Sequence, residues 1–147
     1  MRATILALTS LLLALPQAAG AQLGGRRTAA GCVSVADPHA RVSVSGRLIL
    51  RRFAGPPNYE SVAAGDAEER TFIVELPRAA CIDDGGDFAD PAHRFAIVQV
   101  SATRAGLMAA LRSAIGRRVR VTGHGIAEQT GHHHAPLVLF ADRLTVD

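Results

Sequence analysis

Three consecutive histidines stand in Gly131-His132-His133-His134-Ala135-Pro136, close to the last residue of the chain. An imidazole can ligate zinc or copper, exchange a proton near neutral pH, or give and accept hydrogen bonds. In extended backbone, successive side chains point to opposite sides, so His132 and His134 share a face and His133 points away. Two of the three can therefore converge on one ion. Glu60, Asp66 and His124 are the further nitrogen and oxygen donors within reach, and zinc and copper suit such a set. The same histidines can instead fasten a hairpin through hydrogen bonds, and the residues alone leave both readings open.

A second unusual stretch is Gly55-Pro56-Pro57-Asn58-Tyr59-Glu60-Ser61, followed by Gly65-Asp66-Ala67-Glu68-Glu69. It brings carboxylates, an amide and the chain's one tyrosine into a single long connection. Asn58, Tyr59, Glu60, Asp66 and His133 are the candidates to contact a small ligand, a peptide or a glycan. Pro-Pro-Asn and Gly-Asp are also ordinary turn formers, so a purely structural role competes. No G-x-S-x-G stretch occurs, and no serine or aspartate stands at a recognised spacing from the histidines, so no catalytic residue is assigned.

The elements that must hold these two stretches follow from periodicity. Val42, Val44, Leu48 and Leu50 alternate with mostly polar neighbours, which predicts a first half-buried strand. A loop over Phe53 to Glu69 follows. Phe72, Val74 and Leu76 predict a second strand from Thr71, ended by Pro77. Phe95 to Val100 is a third, more uniformly apolar strand. Leu107, Met108, Leu111, Ala114 and Ile115 change to helical spacing, with Thr103 as the N-cap and Gly116 at the stop. Val119, Val121 and Gly123 begin a fourth strand that runs toward Ala127, and Leu137 to Val146 make a fifth.

Three strands, one helix and two strands is the order of a five-stranded OB-like barrel with its helix between strands three and four. The chain is therefore read as mostly β. In that fold the loop after strand one and the loop after strand four flank the usual ligand face. These are the two unusual stretches, and together they make one composite candidate site.

Met1-Arg2, the apolar run Ile5 to Leu15 and Ala19-Gly20-Ala21 have the form of a signal peptide over 1–21. No later segment supplies the roughly 20 apolar residues of a membrane helix. The expectation is an exported, periplasmic or secreted protein with a leader over 22–41, which carries Cys32, and one OB-like domain over 42–147. In such a compartment Cys32 and Cys81 form a disulfide by default. They also lie before strand one and after strand two, which an antiparallel pairing of those strands sets side by side.

All sixteen basic residues are arginine, against thirteen acids, and cleavage after Ala21 would leave a net charge of +2. That balance is too mild to call for a polyanion. Arg47, Arg51, Arg118 and Arg120 fall on outward faces, but five phenylalanines, one tyrosine and no tryptophan offer little to stack on bases. No nucleic-acid partner is expected, and the chain is read as a monomer.

Pro57-Asn58-Tyr59-Glu60-Ser61, Gly65-Asp66 and Thr130-Gly131-His132-His133-His134, with Cys81 after the second strand, together resemble an uncharacterised family of secreted bacterial domains. The resemblance covers roughly Val42 to Val146 and implies an exported location, with no activity attached. The reading that results is an exported binding or accessory module of unassigned ligand. Its alternative is a metal-binding protein or metal-dependent hydrolase using His132 to His134.

Overall fold

A computed structural model describes residues 31–86 and 88–147, so the signal peptide read over 1–21 and leader residues 22–30 lie outside the described residues. The described chain forms β1 (Val33–Ser34), β2 (Val42–Ala54), a 3-10 turn (Val62–Ala64), β3 (Glu68–Ala80) and β4 (Ile82–Asp83). It continues through β5 (Phe95–Ser101), α1 (Ala105–Ser113), β6 (Arg118–Ala127) and β7 (Leu137–Val146).

Five strands close into a barrel in the order β2-β3-β5-β7-β6. The β5–β7 pair is parallel and the other four pairs are antiparallel. This is the five-stranded, one-helix barrel expected from the order of elements. Closure depends on β2, which pairs with β6 over Val42 to Arg47 and with β3 from Arg47 to Ala54. Gly46 stands where β2 changes partner, and a Cβ there would fall on the Glu75 backbone carbonyl. Only glycine permits so close an approach.

Inward positions repeat every second residue, as a pleated strand requires. Val42, Val44 and Leu48 of β2, Phe72 and Val74 of β3, Val98 and Val100 of β5, Val119 and Val121 of β6, and Leu137 and Leu139 of β7 fill the barrel. Leu111 and Ala114, at and just after the end of α1, join the same core. The helix N-cap is Arg104, without a side-chain cap bond, rather than Thr103.

The strands of the first hairpin are longer than their periodicity indicates. Phe53 and Ala54 pair with Glu69 and Glu68, so the connection between β2 and β3 shortens to residues 55–67. At its other end β3 runs past Pro77 to Ala80 through a register shift between Glu75 and Ala80. A strand tolerates proline at such an irregularity, where no ladder bond is lost.

Cys32 and Cys81 are joined by a disulfide. Beside it β1 pairs in parallel with β4, Val33 N–H donating to the Cys81 carbonyl and Val35 N–H to that of Asp83. Val33, Val35 and Ile82 are part of the core. The second half of the expected leader is thus packed onto the barrel. No helix among the described residues is long and apolar enough to cross a membrane.

Candidate functional site

Residues 55–67 turn between β2 and β3 around one carboxylate. Asp66 is buried and accepts the backbone N–H of Asn58 at 2.9 Å and those of Glu60 and Ser61 at 2.8 Å, with Asn58 Nδ2 at 3.2 Å. The backbone N–H bonds, Ser61's first and then those of Asn58 and Glu60, hold the Asp66 carboxyl below its ordinary range. Asp66 is therefore the centre of the loop. Tyr59 sits between two of these anchored amides at φ 60°, in the left-handed region that non-glycine residues rarely enter.

That anchoring makes the loop sensitive to acid. A carboxyl whose folded-state pKa is depressed contributes stability above its unfolded value of about 3.9, and the contribution is lost as pH falls through the folded value. Tyr59 is the only tyrosine and tryptophan is absent, so ultraviolet fluorescence reports this loop alone. Below about pH 4 the wild-type signal is expected to show a change that Asp66→Asn lacks. Asp66→Asn should show the loosened signal already at neutral pH, and an unchanged signal would mean that Asp66 does not order the loop.

The second loop, residues 128–136, is fastened to the outside of the barrel. Gln99 lies between inward-facing Val98 and Val100, so it points outward, beside Ile73 of β3 and Val138 of β7. Its Nε2 donates to the His132 carbonyl at 3.0 Å and its Oε1 accepts the His134 N–H at 2.6 Å. A primary amide satisfied at both ends fixes the backbone on either side of His133. His133 Nδ1 accepts the Gln129 N–H at 2.9 Å, a bond within its own loop.

His132 and His134 meet a single carboxylate, that of Glu69 at the start of β3. His132 Nδ1 stands 2.6 Å from Glu69 Oε1, and His134 Nε2 stands 2.8 Å from Oε2. Partial burial pushes the Glu69 carboxyl up, and hydrogen bonds from His134 and His132 outweigh it, leaving the group below its ordinary range. An ionised carboxylate only accepts, so both facing imidazole nitrogens carry hydrogens. Neutral His132 then has its lone pair on Nε2, which accepts from the Tyr59 hydroxyl at 3.0 Å.

The result is a continuous chain, Tyr59–His132–Glu69–His134, that joins both loops. Packing holds its two ends. The His134 side chain is 8% exposed and its ring stacks on Phe53, with centroids 4.2 Å apart and planes 2° from parallel. The Arg51 guanidinium lies 5.2 Å from the centre of the same phenylalanine ring. At the other end the Tyr59 ring rests on Gly131, where a Cβ would come within 2.9 Å of ring carbons. The His132 side chain, at 60% exposure, is the open part of the chain.

Residues 97–145 match the model of a domain of unknown function, DUF4431. The matched stretch is one third of the chain and takes in β5, α1, β6 and β7 with the histidine loop between the last two. It includes Gln99, His132, His133 and His134 but not Asn58 to Asp66, so the DUF4431 stretch supplies one side of the site and the β2–β3 hairpin the other. No curated protein matches the chain.

Of the residues expected at a composite site, Tyr59, His132 and His134 are joined directly, and Asn58, Glu60 and Asp66 shape the loop that presents Tyr59. His124 is elsewhere. Its ring stacks on Phe140 of β7, with centroids 6.4 Å apart, and its Nδ1 is buried without a hydrogen-bond partner. Among the described residues, no group of three or more His, Cys, Asp or Glu side chains is arranged to hold a metal ion.

Gln99 and Phe53 are site residues that sequence reasoning passed over, and Glu69 is read there as part of the loop without being singled out. Each carried a usable signal. Running the alternation of Phe72 and Val74 back past Thr71 places Glu69 on the outward face, and the same alternation from Leu48 does so for Phe53. Gln99 is a lone amide inside an apolar strand, and a buried amide needs partners.

Proposed function

We propose that this protein is an exported binding or accessory module whose ligand site is the junction of the 55–67 and 128–136 loops. The observation that carries the reading is the hydrogen-bonded chain from Tyr59 through His132 and Glu69 to His134. Its inner members are fixed by Gln99, Phe53 and the Asp66-centred loop, while His132 and the Tyr59 hydroxyl stay within reach of solvent. A rigid inner shell beneath an accessible polar edge is what a pre-organised binding site requires. The ligand is a small molecule, a peptide or a glycan that exchanges hydrogen bonds with the tyrosine hydroxyl and imidazole. Export is supported by the form of residues 1–21 and by the disulfide, the usual state of paired cysteines in an oxidising compartment.

The second reading is a zinc or copper site on His132 and His134. What favours it is the convergence of the two imidazoles on one carboxylate, although as they stand His132, His134 and Glu69 are not arranged to hold an ion. Two measurements separate the readings. The first is calorimetric titration of tag-free mature protein with Zn²⁺ and Cu²⁺, beside the double variant His132→Ala, His134→Ala. The second is a glycan and peptide array probed with wild type, Tyr59→Phe and His132→Ala.

The binding reading expects array ligands whose affinity falls about tenfold or more in both single variants, as when a buried polar partner is removed. It is overturned if every array signal survives both substitutions. One-to-one submicromolar metal binding that the double variant abolishes would establish the metal reading instead.

A further inference from the structure

We infer that Tyr59 is the nucleophile of an acyl-transfer site, with His132 as its general base and Glu69 as the group that orients His132. The substrate class is an activated acyl donor, an aryl ester or a thioester. This deepens the binding reading and rests on it, because the acyl group arrives on the ligand that the two loops hold.

The order of hydrogen bonds is the first support. A hydroxyl in contact with an imidazole, whose other nitrogen is held by a carboxylate, is the general arrangement of an activated nucleophile. Here the hydroxyl is phenolic, at 3.0 Å from His132 Nε2, and Glu69 is 2.6 Å from His132 Nδ1. Glu69 stays ionised and fixes the tautomer that leaves Nε2 free to take a proton. A free phenol titrates near pH 10 and is a weak nucleophile at neutral pH unless a base removes its proton.

Backbone strain is the second support. Tyr59 is the one non-glycine residue with positive φ among the described residues. Both of its neighbours are pinned by Asp66, so the surrounding loop imposes the conformation. Strain of this kind is concentrated at functional positions. The third support is access, since the base that must meet substrate is the exposed member of the chain.

Leaving-group chemistry selects the substrate class. In the tetrahedral adduct on Tyr59, the better leaving group departs, and phenoxide leaves more readily than an alkoxide or an amine. Net transfer to Tyr59 therefore requires a leaving group no more basic than phenoxide, which an aryl ester or a thioester supplies. Tyr59 Oη bonds to the acyl carbon, and the carbon–oxygen or carbon–sulfur bond to the leaving group breaks with its electron pair. The Tyr59 proton passes to His132 Nε2 and then to the departing oxygen or sulfur. Water repeats the sequence on acyl-Tyr59, with His132 taking its proton and returning it to the tyrosine oxygen.

The test treats mature protein at neutral pH with p-nitrophenyl acetate and, separately, with the thioester N,S-diacetylcysteamine. Peptide mass spectrometry then locates the acetyl group, unambiguously because the chain has one tyrosine. Tyr59 should be acetylated roughly a hundredfold faster than N-acetyltyrosine amide under the same conditions by at least one donor, the scale of general-base assistance. His132→Gln, which keeps a polar side chain but takes no proton, should remove that advantage with the circular dichroism spectrum unchanged. Tyr59→Phe should leave no labelled residue at the site.

A Tyr59 rate equal to the free amide, a rate that survives His132→Gln, or an acetyl group that moves to a histidine in Tyr59→Phe would each overturn the proposal. If acylation fails while array ligands still depend on Tyr59 and His132, acyl transfer is wrong and the binding reading stands. Failure of both dependences removes both.

Discussion

Replacing Cys32 and Cys81 together by alanine is expected to lower the free energy of unfolding by about 4 kcal/mol, the chain-entropy value for a loop of this length. The bridge spans a sequence separation of 49 and closes the whole β2–β3 hairpin into one covalent loop. It also does a local task. β1 and β4 are two-residue strands that pair only with each other, and a lone pair of such strands is marginal in water. Without the disulfide, Val33 and Val35 would leave the core, which adds a packing loss to the entropic one. Urea unfolding of oxidised wild type and of the double variant, followed by far-ultraviolet circular dichroism, measures the difference. A loss under about 1 kcal/mol would show that the barrel holds itself and that the bridge adds little.

The second large effect is expected from Glu69→Ala. This change removes the acceptor of two imidazole N–H groups at once. His134 is the costly one, because its side chain is nearly closed to solvent and Glu69 is the acceptor its Nε2 has among the described residues. A buried donor left without a partner costs about 1–3 kcal/mol, and the lost connection between the loops adds to the functional defect. Both the thermal midpoint and the affinity for array ligands should fall, whereas His133→Ala, which spares the chain, should change neither by a comparable amount. Glu69→Gln offers one acceptor oxygen in place of two and should land between them. Retention of full stability and affinity by Glu69→Ala would mean that the carboxylate does not organise the site.

The alignment of chemistry with fold explains why the proposed site sits where it does. In this barrel the outward row Ile73–Gln99–Val138 is not open to ligand, since all three residues are buried and Gln99 holds the backbone of the histidine loop. The surface usually offered by such a barrel is thus covered by the chain's own loop. The proposed binding edge therefore lies further out, at His132 and Tyr59.

Much of this protein is decided by local sequence. Alternation at Val42 to Leu48, at Phe72 to Val74 and at Val119 to Gly123 specifies three of the five barrel strands, because a half-buried strand must repeat every two residues, and the apolar runs Phe95 to Val100 and Leu137 to Val146 supply the other two. The helical period at Leu107 to Leu111 inserts α1 at its place, and the order of elements leads to the barrel. The pairing of Cys32 with Cys81 follows from the same topology. The two loops that build the site are also legible, by composition, in Asn58 to Asp66 and in His132 to His134.

Which side chains those loops bring together was decided only by tertiary structure. His124 has the right chemistry but lies against Phe140, and Glu60 and Asp66 are carboxylates that the loop does not turn toward the histidines. Glu69 meets them instead, because β3 begins at Glu68 and the hairpin register sets Glu69 opposite Phe53, beneath His134. Periodicity fixes the face on which a residue lies, whereas strand register and loop closure fix its neighbour across the chain. Those depend on contacts between segments more than sixty residues apart, as in His132–Glu69 at a separation of 63 and Tyr59–His132 at 73.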